Sequence, residues 1–348
     1  MKGKTKRFLS FFILLLCVMA ISSCSSADKK TALKVIIVSK FEIEEMSGDF
    51  PGEAQLFYKE YCDGCMETEI PHMPPTGQFY VNEKNGAGIL LTGSGKTAAG
   101  LSLSAVLSSG LYDFSDTYII SVGCGGGNAE YCTLGDVILE TAACDYDLGH
   151  HVDTHEKSES NDRIMWFPDD SFKDYECRFF NDGLCEKVFQ LIKDCPLRTT
   201  EEAKAVIKEN FPDRDEADIL PAVKKGTALT GDNFWKGIYG HETAKYIANH
   251  YECPDPYAVT EMEDVAIANT AACYDMADRV IALRAIVNMD LFLKDETPES
   301  TWGEYDGYNN KVKEENSETL DIFEPAMHNL FDAGSIVIDS ILEGNIGE

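Results

Sequence analysis

Carboxylates, amides and one aromatic ring stand where strand-like runs of this chain end. In Val259-Thr260-Glu261-Met262-Glu263-Asp264-Val265-Ala266-Ile267-Ala268, Met262 and Glu263 open a small-residue helix. A carboxylate there can accept from two hydroxyls at once, or serve as an acidic first helical turn. An Arg-bearing strand from Val280 ends in Asn288-Met289-Asp290. Asn288 can both donate and accept hydrogen bonds, and Asp290, two residues on, shares its side of the strand and can carry a proton; strand-end turn chemistry is the other use of such a pair. Gly231-Asp232-Asn233-Phe234 offers an aromatic that stacks on a flat ring or packs in a core. Glu42 and Glu44 follow the first apolar run, as a proton acceptor or as a solvated acidic loop.

Two glycine clusters lie upstream. Gly93-Ser94-Gly95-Lys96-Thr97 lacks the spacing of a nucleotide P-loop, so it reads as a tight turn letting backbone approach a ligand closely. Gly123-Cys124-Gly125-Gly126-Gly127 reads as a second such turn. His150-His151 has no partners at metal-ligand spacing, and no metal or other cofactor is expected. His241 reads alone as a surface residue.

The elements that must position these residues follow the order strand, glycine turn, helix, strand. Strands are expected at Lys34–Ser39, Gly88–Thr92, Thr117–Val122 and Gly135–Glu140, with a helix over Lys96–Ser108. His150–Asp174 reads as a loop or lid. Helices are expected over Glu176–Ile192, Thr200–Asn210, His241–His250 and Glu263–Tyr274. A last helix, Thr319–Leu342, is open to a break at Pro325. This is an α/β pattern on one domain, residues 34–348.

The chain has 348 residues and a net charge of -30, from 60 acidic against 30 basic side chains. Such a field repels phosphate backbones and excludes nucleic acid as a partner. Residues 1–24 read as a targeting segment: Lys2, Lys4, Lys6 and Arg7, then a short apolar run, then Ile21-Ser22-Ser23-Cys24, which resembles a bacterial lipobox. Residues 25–33 form a tether. The expected location is outside the cytoplasm, held to the membrane by an acylated Cys24. No other stretch approaches about 18 apolar residues. Of the remaining cysteines, Cys62 and Cys65 are the first expected disulfide, Cys177, Cys185 and Cys195 are further candidates, and Cys124 and Cys144 are expected as buried thiols.

The Gly-Asp-x-Phe loop, the Met-Glu pair and the Arg-bearing strand ending in Asn/Asp together resemble the purine site of the nucleoside phosphorylase/nucleosidase superfamily. Their order, from about Lys34 to Phe323, is most similar to its purine nucleoside permease branch. The resemblance implies a mixed, twisted central sheet flanked by helices. It implies purine nucleosides as ligands and cleavage of their N-glycosidic bond by water or by inorganic phosphate as co-substrate. It puts Glu263 on the ribose, Phe234 on the base, Asn288 or Asp290 at the purine N7 and Glu44 at the water. Gly93, Cys124, Gly125, Gly126, Asp232 and Met262 would line the pocket. Where some phosphorylases grip phosphate with an Arg and a Ser, this chain has Ser121 and Cys124, which carry no positive charge. The alternative is a non-catalytic binder serving a separate transporter; a homo-oligomer is compatible with either.

The lipobox carries its own test. A Cys24→Ala chain is expected to lose acylation and membrane retention on fractionation; membrane association unchanged without lipid would contradict the anchor.

Overall fold

Val35–Ser39 and Ala87–Leu91 expose no side chain appreciably, and neither does Val137–Asp145. Uninterrupted burial of this kind belongs to central strands covered on both faces. The computed structural model describes residues 30–43, 46–153, 164–167, 176–297 and 317–346. The leader with Cys24 lies outside the described residues. So do Glu44 and most of the expected lid, residues 154–163 and 168–175.

In chain order the strands are β1 (Thr31–Ala32), β2 (Val35–Ser39), β3 (Gln78–Asn82), β4 (Ala87–Leu91), β5 (Tyr112–Asp113), β6 (Tyr118–Gly127), β7 (Val137–Asp145), β8 (His150–Asp153), β9 (Ile164–Phe167), β10 (Cys177–Phe179), β11 (Val223–Thr230), β12 (Tyr257–Glu261) and β13 (Val280–Met289). The helices are α1 (Gln55–Tyr61), α2 (Lys96–Ser108), α3 (Asp182–Ile192), α4 (Glu201–Asn210), α5 (Ile238–His250), α6 (Asp264–Cys273) and α7 (Ser317–Leu342). The main sheet runs β10-β7-β11-β12-β6-β2-β4-β3, and β13 pairs with both β6 and β7. That double pairing closes β7, β11, β12, β6 and β13 into a ring. The sheet is mixed: β2 lies parallel to β4 and β6, whereas β12 runs antiparallel to β6 and β13 antiparallel to β7. The expected α/β architecture, a mixed central sheet with flanking helices, is the one observed.

The glycine run differs from its reading as a turn. Gly123 to Gly127 continues β6 as strand, held between β12 and β13. The glycines are needed for close approach. A Cβ on Gly123 would stand 2.6 Å from Nη1 of Arg284, its partner in the β6–β13 register, and one on Gly125 would stand 2.7 Å from the Thr260 carbonyl oxygen. Real side chains do not occupy such space.

Other differences are local. Glu176–Ile192 splits into β10, paired antiparallel with β7, and α3, which begins where the Asn181 side chain accepts from Leu184 N–H. His150–Asp153 and Ile164–Phe167 pair as an antiparallel ribbon. Pro325 does not break α7. Beyond it Ala326, Met327, Leu330, Ala333, Val337 and Ile338 are buried, and that packing outweighs a proline cost of about 3 kcal/mol. α1 and β3 had no strong local signal.

The disulfide expectation is corrected. Cys144 and Cys177 are bonded, whereas Cys62 and Cys65 are free thiols, as are Cys185 and Cys195. Cys144, expected as a buried thiol, faces Cys177 directly across the β7–β10 ladder. Strand pairing brought them together, which local spacing does not report. Cys62 instead ends α1, its N–H donating to the Tyr58 carbonyl.

Candidate functional site

A cavity of about 200 Å³ opens where the glycine run of β6, the end of β12 and the end of β13 come together. The glycine run supplies one wall with Cys124, Gly125 and Gly126. The β12–α6 turn supplies Glu261, Met262 and Glu263, and β13 supplies Val287 and Asn288. The loop before α5 closes over it with Asn233, Phe234 and Trp235, while Lys40, Phe41, Glu53, Ser94, Thr260 and Arg284 complete the lining. Seven of the residues expected from sequence meet here: Cys124, Gly125, Gly126, Phe234, Met262, Glu263 and Asn288. Phe234, 48% exposed, stands at the rim. Asn288 lies over Gly126, where a Cβ would come within 3.2 Å of its amide nitrogen.

Three expected residues lie elsewhere. Gly93 sits behind Ser94 at a φ of 81° that favours glycine, its N–H bonded to the Lys40 carbonyl. Asp232 accepts from Lys96 N–H and so serves the N-terminus of α2. Asp290 is buried away from the cavity, where it accepts from Ala129 N–H and the Tyr257 hydroxyl and meets His241 Nδ1 at 2.8 Å. His241, read as a surface residue, is fully buried; its bond to Asp290 is the reason.

The floor is a buried charge cluster. Arg284, 1% exposed, reaches Asp264 Oδ2 at 2.7 Å through Nε, and Glu261 Oε2 at 2.9 Å and Glu263 Oε2 at 3.2 Å through Nη2. Its Nη1 donates to the Cys124 carbonyl. Glu261 also accepts from the N–H groups of Glu263 and Asp264, so it fixes the start of α6. Glu263 Oε1 accepts from Gly95 N–H, which joins the same corner to α2. Lys40 Nζ donates to Ser121 Oγ and the Val122 carbonyl, 3.7 Å from Asp264. Glu53 accepts from the N–H groups of Lys40 and Cys124.

Among the described residues, Glu53, Glu140, Glu261, Glu263 and Asp264 thus surround two cations, Lys40 and Arg284. Such an excess cannot stay fully ionised out of water. Burial, with the Asp264 and Glu261 charges added, pushes Glu140 well up, and neither of its oxygens has a hydrogen-bond partner. Burial and Asp264 push Glu261 up to about 7. Against the burial that would raise it, Arg284 and Lys40 hold Asp264 below the usual aspartate value. Burial and the Glu53 charge raise the Cys124 thiol, which is therefore neutral rather than a nucleophile. The arrangement suits a ligand that offers hydroxyl donors or develops positive charge. It is a poor receptor for a phosphate dianion, because both cations are already committed to carboxylates or hydrogen bonds.

Sequence reasoning left Arg284, Glu53, Glu261 and Trp235 without site roles. Arg284 had a readable signal, a charge inside an apolar strand. Glu53 had none, since it lies in an irregular segment and enters the cavity by tertiary packing.

A family model described as purine nucleoside permease (NUP) matches residues 32–345. A probable purine nucleoside permease of Schizosaccharomyces pombe is 26% identical over 237 residues, covering 61% of this chain and 67% of that protein. A purine nucleoside permease of Candida albicans is 26% identical over 159 residues, covering 42% of this chain and only 39% of its own length. Among solved structures, the 5'-methylthioadenosine/S-adenosylhomocysteine nucleosidase of Neisseria meningitidis, in complex with methylthio-immucillin-A, aligns with a TM-score of 0.51 at 16% identity, over 88% of this chain and 98% of that one. The futalosine hydrolase of Helicobacter pylori aligns at 0.52 and 12% identity, over 88% and 98%. These likenesses show the fold.

The cluster predicts an unusual pH response. Glu140 and Glu261 have folded values above the ordinary 4.5, so the native protein keeps protons that the unfolded chain releases. Their stabilisation is complete below that ordinary value and is lost as pH rises, through about 7 for Glu261 and through the raised folded value of Glu140. Asp264 acts oppositely: its contribution is present above the ordinary aspartate value and is lost as pH falls through its lower folded value. The urea midpoint is expected to be higher at about pH 5 than at about pH 8, and Glu140→Gln to reduce the difference. An unchanged pH slope in that variant would contradict a proton held on Glu140.

Proposed function

Because the chain belongs to the purine nucleoside permease family, we propose that it binds purine nucleosides in this cavity and cleaves their N-glycosidic bond with water as acceptor. The observation that carries the reading is the carboxylate-rich floor beneath a small cavity with aromatic residues in its lining. The C1'–N9 bond breaks with its electron pair leaving to the purine. The sugar is left as an oxocarbenium-like cation, which negative charge fixed beneath it stabilises. Water oxygen then bonds to C1' and its proton passes to a carboxylate.

Each side chain has a role in this scheme. Glu263 accepts from the ribose hydroxyls, keeping lone pairs free beside its bonds to Arg284 and Gly95. Phe234, with Trp235 beside it, stacks on the base. The Asn288 amide donates to N7 and meets O6 of a 6-oxopurine. It has no proton to give, so the departing purine takes its proton from solvent. The carboxylate that receives the water proton is Glu44 on the sequence resemblance; among the described residues Glu53, which lines the cavity, is the candidate. Phosphate as acceptor is the weaker variant, because among the described residues the cations at the cavity, Lys40 and Arg284, are already committed.

Asn288 also favours a second reading, in which the protein binds purine nucleosides without cleaving them and delivers them to a separate transporter. No helix among the described residues is long and apolar enough to cross a membrane. Conduction by those helices therefore has no support, and the lipid-anchored location expected from Cys24 is the setting in which such a binder works.

Glu263→Gln tests the ribose contact that both readings share. The change keeps shape and removes charge, and a charged hydrogen bond contributes about 1.5–3 kcal/mol. Guanosine affinity is expected to fall about tenfold or more, while guanine affinity barely changes. Calorimetry with both ligands, on variants shown to be folded, checks it. Equal losses for nucleoside and base, or none for either, would make Glu263 a structural residue only.

A further inference from the structure

Away from the cavity, α5 and the loop after β6 bring together an imidazole and two carboxylates that neither reading uses. We propose that His241, Glu130 and Glu242 form a site for a divalent cation of the zinc class. His241 is fully buried, yet its Nε2 has no hydrogen-bond partner. That atom faces Glu130 Oε1 at 3.5 Å and Glu242 Oε1 at 3.9 Å, and one ligand atom from each residue lies within 4.8 Å of the other two. On a tetrahedral ion with bonds of about 2.0–2.1 Å, ligand atoms stand roughly 3.3 Å apart, so small rotations of two exposed Glu side chains close the shell.

The other face of the ring supports the assignment. Nδ1 meets Asp290 Oδ2 at 2.8 Å, and the same carboxylate accepts from the Tyr257 hydroxyl and Ala129 N–H. A carboxylate so placed is an acceptor, so a hydrogen on Nδ1 suits it, and Nε2 is turned toward Glu130 and Glu242, where its lone pair can take an ion. Carboxylate, imidazole, then metal is the sequence in which ligating histidines are oriented and made more basic. One nitrogen and two carboxylate oxygens suit zinc, with a fourth position for water; magnesium and calcium prefer all-oxygen shells. Lys245 Nζ lies 2.8 Å from Glu130 Oε2 and 3.3 Å from Glu242 Oε1, so it balances these carboxylates without the ion and swings outward when the ion binds.

A cation here would fasten the loop after β6 to the first turn of α5. It would also act near the cavity, because the Asp290 carbonyl accepts from Gly237 N–H at the end of the loop that carries Asn233, Phe234 and Trp235. The site is independent of whether the cavity cleaves or only binds.

Zinc titration calorimetry on the full chain tests the proposal, with free thiols alkylated so that cysteines do not compete. The parent is expected to bind one equivalent, and a Glu130→Gln/Glu242→Gln double variant to bind it at least about tenfold more weakly. Both glutamates are exposed, so the double variant keeps the fold. Absence of zinc binding in the parent, or equal affinity in the double variant, would overturn the site.

Discussion

Arg284 is the charge around which this fold is arranged. A guanidinium in the middle of an apolar strand, away from water, requires carboxylates and a closed set of hydrogen bonds. Glu261, Glu263 and Asp264 supply the carboxylates from a single turn, so the start of α6 is fixed against β13. Glycine at position 123 is a consequence, since a side chain there would occupy the space of Nη1. Removing the guanidinium would leave Glu261 and Glu263 without its hydrogen bonds and Asp264 with Lys40 alone, a loss on the order of 3–5 kcal/mol. The cluster is therefore costly unless complete, and the cavity above it inherits its geometry.

Charge bookkeeping then limits what the cavity can do. Lys40 is bonded to Ser121 and Val122 and lies beside Asp264, so it too serves the floor. With five carboxyl groups around two cations, one carboxyl, Glu140, has no hydrogen-bond partner, lies 3.8 Å from Arg284 Nε and is driven toward its neutral form by burial. A field of that sign favours hydroxyl donors and a sugar that becomes cationic. It opposes a dianionic co-substrate.

Much of this was legible in the chain, and unevenly. Helix α2 could be read to its last residue because a glycine stands before it and Ala99, Leu103 and Val106 recur at helical spacing, and all three are buried. The floor was legible only in part: Glu263 and Asn288 sit in motifs, but Glu53 reaches the cavity from an irregular segment. Asp290 shows the limit of strand periodicity. It shares a side with Asn288 in an ideal strand, yet the register shifts between Ile286 and Asn288 and the chain then leaves β13, so Asp290 turns to His241 and Tyr257. The Cys144–Cys177 bond was hidden for a related reason, since cross-strand neighbours far apart in sequence are set by sheet order.

The account turns on the acceptor that the acidic floor permits. The most direct measurement follows release of free purine from inosine, guanosine and adenosine, with and without inorganic phosphate, and identifies the sugar product. The account predicts release at the same rate in both conditions, with free ribose formed. Release that requires phosphate and yields ribose 1-phosphate would contradict it, as would tight nucleoside binding with no release at all.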